Sequence, residues 1–99
     1  MTHRLSPEAE AELDGIWEYI ATESGSLVVA DRFIDGLTRQ FYLLATHPYM
    51  GHRRDEDLRP GMRSFVFGSY LILYRTEGED VLILHVVRGS RDIVALFGH

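Results

Sequence analysis

Histidine, arginine and tyrosine are the side chains through which this sequence could do chemistry. Cysteine and lysine are both absent, which removes thiol nucleophiles, disulfides, cysteine-bound metals and amine catalysts. Of the five histidines, His3 and His99 are terminal, and His52 sits beside Arg53 and Arg54 in a solvated stretch. His47 precedes Pro48, where it would close a helix. His85 interrupts the apolar run Val81–Val87 and reads as a hydrogen-bonded, partly buried residue. No two of them stand at ligand spacing with a carboxylate, so neither a metal nor another cofactor is expected. All ten basic residues are arginine, a side chain suited to bidentate contacts with carboxylate or phosphate and to stacking on aromatic rings. Arg88, Arg91 and Asp92 leave a predicted strand on a Gly-Ser step. With the tail that contains Phe97, and with Arg63, they form the candidate contact set, because loops on a rigid scaffold often carry function.

The elements that must hold these residues are legible between Met62 and Asp92. Phe67-Gly68-Ser69-Tyr70 places a glycine at the first central position of a two-residue hairpin, as a type II′ turn requires. That turn sets Phe67 opposite Tyr70, Phe65 opposite Ile72 and Arg63 opposite Tyr74. One sheet face then carries Phe65, Phe67, Tyr70, Ile72 and Tyr74; the other carries Met62, Ser64, Val66, Leu71 and Leu73. Both faces are mostly apolar and each should be covered, the second by another core or by a partner. Val81–Val87 is almost wholly apolar and suits a strand in the interior of the sheet.

Upstream, Ser6-Pro7 is a helix start, with Glu8, Glu10 and Glu12 at the positive end of the dipole. Leu13, Ile16, Trp17 and Ile20 make its apolar stripe, and the helix should stop at Ser24-Gly25. Ser26 caps a second helix with the stripe Ala30, Phe33, Ile34, Leu37, Phe41 and Leu44, ending before His47-Pro48. Tyr19, Val28, Tyr42 and Leu43 fall off these stripes and mark a candidate partner surface. Gly15 and Gly36 are expected on outward faces. Residues 48–61 read as a solvated linking loop, and Ile93–Phe97 as a short apolar tail. The expected architecture is a single α+β domain over residues 1–99, ordered β-α-α-β-β-β, with a two-helix hairpin packed on one face of an antiparallel sheet.

The net charge of −5 argues against a nucleic-acid coat, and no direct sequence-specific nucleic-acid binding is expected. Residues 1–50 hold three basic and eight acidic side chains; residues 51–99 hold seven of each. No leader opens the chain and no apolar run approaches membrane-spanning length, so a cytoplasmic protein without a membrane partner is expected.

The ordered set RLSPEAEAELDGIWEYIA (4–21), ADRFIDGL (30–37), LLATHPYMG (43–51), LRPGMRSFVFGSYLILYR (58–75) and ILHVVRGSRD (83–92) resembles the ParE/RelE superfamily of bacterial toxin–antitoxin toxins. Its opening and its HPYMG loop are closest to the ParE branch. The resemblance implies a plasmid-stabilisation type of toxin that inhibits DNA gyrase by binding and is neutralised by a ParD-like antitoxin. That antitoxin would bury Tyr19, Val28, Tyr42 and Leu43, leaving Arg88, Arg91, Asp92, Phe97 and Arg63 for the target. The RelE branch of the same group cuts mRNA on the ribosome, and a non-toxic antitoxin-binding module is a further alternative. In ribonuclease members an arginine follows the strand tyrosine, whereas Leu71 follows Tyr70 here. They also carry a closing tyrosine, where this chain has Phe97, and catalytic lysines, which it lacks. A protein inhibitor, not an enzyme, is therefore expected, with no catalytic residues assigned.

Overall fold

The computed structural model describes residues 2–89 and Ile93. The chain runs β1 (His3–Leu5), α1 (Pro7–Ser24), α2 (Leu27–Thr46), β2 (His52–Arg53), β3 (Met62–Phe67), β4 (Tyr70–Glu77) and β5 (Asp80–Arg88). The strands form one sheet in the order β1-β5-β4-β3-β2.

Local chemistry sets the helix ends as expected. The Ser6 hydroxyl accepts from the Ala9 N–H at 3.0 Å and donates to the Leu84 carbonyl at 2.7 Å, capping α1 and fastening it to β5. Gly25 ends α1 in the left-handed conformation, with φ of 67°. Ser26 caps α2 by accepting from the Val29 N–H, and the His47 N–H closes its far end on the Leu43 carbonyl. The Trp17 indole N–H donates to Asp31 across the hairpin at 2.8 Å.

The β3–β4 register is the one its turn dictates: Phe67 faces Tyr70, Phe65 faces Ile72 and Arg63 faces Tyr74. Gly68 has φ of 59° and, among the described residues, no non-glycine residue has positive φ, as type II′ geometry demands. The interior place expected for the Val81–Val87 strand is also found, between β1 and β4.

The sheet departs from expectation at its two edges. It is antiparallel except at β1, which pairs parallel to β5 through His3–Val81 and Leu5–Ile83; the helical hairpin supplies the crossover that such a pair needs. At the other edge, β2 adds two residues opposite Arg63 and Ser64. A bulge between β4 and β5 at Leu73/Tyr74 resets the register.

Both sheet faces are covered. The helical hairpin lays Ala9, Ile16, Leu37, Phe41 and Leu44 on Tyr70, Ile72, Tyr74, Val81, Ile83 and Val86. A smaller core on the opposite face joins Leu58, Met62, Leu73, Val87 and Ile93. The 48–61 segment is thus more than a solvated linker: Leu58 is buried, and Arg54 binds Asp57 and the buried Ser64 hydroxyl. Gly36 also differs from expectation. It faces the sheet, and a Cβ there would lie 2.8 Å from the Phe67 ring, whereas Gly15 opens to free space. The remainder of the expected tail, after Ile93, lies outside the described residues.

Candidate functional site

Two aromatic corners sit at opposite ends of β4. At the first, Tyr70 opens the strand and pairs with Arg88 at the end of β5. The Arg88 guanidinium lies 5.8 Å from the Tyr70 ring and 5.4 Å from the ring of Tyr19 on α1. The neighbouring Tyr19 phenol holds the guanidinium pKa above the ordinary arginine value. Phe33 on α2 packs 5.5 Å from both Phe67 and Tyr70 and backs the corner from below. The Gly89 N–H donates to the Ser69 carbonyl at 2.8 Å, tying the end of β5 to the hairpin turn.

Arg88 stands between two open grooves. One, of about 280 Å³, is lined by Glu12, Gly15, Tyr19, Tyr70 and Arg88 among others. The second, of about 540 Å³, runs over the hairpin turn past Val66, Gly68, Ser69, Leu71 and Arg88. Among the described residues, no carboxylate pairs with Arg88. Glu12, the acid in the first groove, is already committed: it accepts from the Val86 N–H at 3.0 Å and meets His85 Nδ1 at 3.0 Å. His85 is thus hydrogen-bonded and half-buried, as its place in the apolar run predicts.

The second corner is a lock. Tyr74 is fully buried; its hydroxyl donates to the Pro48 carbonyl at 2.9 Å and accepts from the Gly51 N–H at 2.8 Å. Burial pushes the Tyr74 phenol above its ordinary pKa, against the opposing hydrogen bond from Gly51. A Cβ at Gly51 would collide with this hydroxyl and come within 2.9 Å of the Ser64 carbonyl, so only glycine fits. Arg63 completes the lock. It stands opposite Tyr74, but its guanidinium stacks on Tyr49 at 5.2 Å and donates to the Gly51 carbonyl at 2.9 Å. Arg63 thereby grips the HPYMG loop, which presents Tyr49, 72% exposed, to solvent.

The helix pair carries the apolar residues that its stripes left over. Tyr19, Val28, Tyr42 and Leu43 are all exposed. Tyr19 turns toward Arg88, whereas Tyr42 sits at the far end of α2 with its ring 4.8 Å from His3. The four are therefore spread along the hairpin. Of the target-contact set, Arg88 and Arg63 stand at opposite corners, while Arg91, Asp92 and Phe97 lie outside the described residues. Leu27, Val29, Tyr49, Met50 and Val66 are exposed as well and were not singled out from the sequence. The first two carried a signal, since three consecutive apolar residues after a helix cap cannot all face one core. Among the described residues, no cluster of His, Asp and Glu could hold a metal ion, and no helix is long and apolar enough to cross a membrane.

The family model for the ParE toxin of type II toxin–antitoxin systems (parDE) matches residues 4–93. The chain belongs to the ParE toxin family. Among curated ParE proteins, it is 38% identical over 96 residues to Toxin ParE1 of Caulobacter vibrioides, covering 97% of each chain. Toxin ParE3 of the same organism is 33% identical over 87 residues, 88% of this chain and 85% of that one. Toxin ParE1 of Mycobacterium tuberculosis is 31% identical over 90 residues, 90% of each. A solved structure titled as a chromosomal ParDE toxin–antitoxin system from P. aeruginosa shares the fold. Its TM-score is 0.76 at 22% identity, over 89% of this chain and 95% of that one.

Proposed function

We propose that this ParE-family chain is a non-enzymatic toxin, one that poisons DNA gyrase by binding it and is neutralised by a ParD-like antitoxin in the cytoplasm. The match to ParE toxins over residues 4–93 carries this reading. Metal-free RNA cleavage, the activity of the related RelE branch, requires a base near a 2′-hydroxyl, an acid for the leaving oxygen and cations for the developing phosphorane charge. Around Arg88 the described residues supply one guanidinium, and the neighbouring Glu12 is tied up by a backbone N–H and His85. That arrangement favours recognition over proton transfer.

The exposed apolar residues of the hairpin support a protein partner. Tyr19, Val28, Tyr42 and Leu43 form the proposed antitoxin surface. Arg88 and Arg63, with Arg91, Asp92 and Phe97, form the proposed target surface. A supercoiling assay with purified protein and gyrase tests the central step. Inhibition with accumulation of cleaved DNA, relieved by one equivalent of the antitoxin encoded beside the gene, is the expected outcome. Undisturbed supercoiling at large molar excess, or mRNA truncated within ribosomes on expression, would overturn it.

A further inference from the structure

β1 is shorter than the strand it pairs with. It reaches only to Leu5, opposite Ile83, while β5 continues to Arg88. The Ser6 N–H closes on the Ile83 carbonyl, and the chain then leaves the sheet to begin α1. Among the described residues, no strand lies beside the outer edge of β5 beyond that point. The bulge at Leu73/Tyr74 changes what this edge exposes. Tyr74 pairs with Ile83 and Leu73 with His85, so Leu84 is the extra residue on β5. Past it the ladder changes phase, and the Leu84 carbonyl and the Val86 N–H point outward, away from β4. By the period of two, the Arg88 N–H points the same way, while the Gly89 N–H turns inward to the Ser69 carbonyl.

Two side chains from the start of α1 stand where a strand is missing. The Ser6 hydroxyl donates to the Leu84 carbonyl at 2.7 Å, and one Glu12 carboxylate oxygen accepts from the Val86 N–H at 3.0 Å. His85 steadies that carboxylate, its Nδ1 lying 3.0 Å from the second oxygen. An outward N–H on an edge strand is the group to which a further strand attaches, and here a carboxylate holds it. Space is not what closes this edge. An open groove of about 280 Å³ runs beside it past Gly15 and Tyr19, and a Cβ placed on Gly15 would meet nothing. The bonding position is filled by Glu12 alone.

We propose that Glu12 guards this edge: its carboxylate takes the place of a neighbouring strand on β5 and keeps the edge from pairing with a second copy of the chain. Backbone edges are self-complementary, so two copies would join β5 to β5 antiparallel about a two-fold axis, running one sheet through both. In a purified sample a second copy is also the only strand at hand. The proposal is independent of the toxin reading, since it needs only α1 and the sheet.

Hydrogen exchange of the Val86 amide by NMR, with sedimentation velocity on the same samples of the full chain, tests it. In Glu12→Ala at low concentration, the Val86 amide should exchange roughly tenfold faster than in wild type, or more. At submillimolar concentration, the variant should form a dimer beyond any association that wild type shows. Glu12→Gln keeps an acceptor oxygen and should retain both the protection and the wild-type sedimentation. Adding Arg88→Pro to Glu12→Ala should abolish the new dimer, because proline removes an outward N–H and spares the β4 ladder. Val86 exchange in Glu12→Ala within about twofold of wild type would overturn the proposal. So would sedimentation matching wild type across the concentration range, or a dimer that persists in the double variant. Circular dichroism checks the fold of each variant. Glu12→Lys, which sets a donor where the acceptor stood, takes the place of Glu12→Ala in the same comparison if that chain does not fold.

Discussion

Tyr70 and Tyr74 lie on the same strand, on the same face and four residues apart, yet they serve opposite ends. Tyr74 is closed on every side: its hydroxyl is used twice, its ring is fully buried, and its neighbour Gly51 leaves no room for a side chain. Tyr70 is nearly as buried, but it supports a solvent-facing guanidinium with no carboxylate among the described residues. One corner spends its polar groups inside the molecule, and the other keeps one for the outside. A polar group fully satisfied within the fold stabilises the fold, whereas an ordered but unpaired one is available to a partner.

That contrast can be broken by mutation. Tyr74→Ala should have the largest effect, a loss of about 3–5 kcal/mol in denaturant unfolding, as for other large aromatic truncations. A loss under 1 kcal/mol would mean that the HPYMG loop folds back without its anchor. Gly51→Ala should follow at about 1–3 kcal/mol, the usual cost of overpacking. Its penalty should shrink in a Tyr74→Phe background, where the obstructing hydroxyl is gone. At the other corner, Arg88→Gln should move unfolding stability by no more than about 0.5 kcal/mol. A larger change would show that Arg88 braces the fold instead of facing outward, erasing the distinction between the two ends.

Much of this arrangement was legible from residue order. The glycine of Phe67-Gly68-Ser69-Tyr70 sets the hairpin register, and that register places Tyr70 and Tyr74 on the helix-covered face. The serine caps and the Ser-Gly-Ser connection mark the helical hairpin. What stayed hidden depended on contacts distant in sequence. β2 is two residues long, too short for any periodic signal. Gly36 lies on the flank of its helix, and only the packed position of Phe67 reveals that this flank meets the sheet. The charged stretch 52–61 contains a single apolar side chain, Leu58, and one residue cannot announce a second core. Arg63 was placed correctly across from Tyr74, but its choice of Tyr49 and the Gly51 carbonyl depends on where the loop folds back. For the target set, Arg88 shows how far sequence reasoning reaches. Its exposure was foreseeable, while the two rings that hold it come from α1 and β4 and meet only in three dimensions.

The parallel pairing of β1 with β5 joins the first described strand to the last. Ser6 reaches across to Ile83 and Leu84, so the start of α1 has no permanent mooring until β5 has been made. The apolar face of the helical hairpin likewise waits for Val81, Ile83 and Val86. A chain still attached to the ribosome at Gly78 would carry an unfinished sheet, and the start of α1 and the apolar face of the hairpin would find their partners only once β5 has been made. A fragment spanning residues 1–78 should accordingly be digested rapidly by protease under conditions in which the full chain survives.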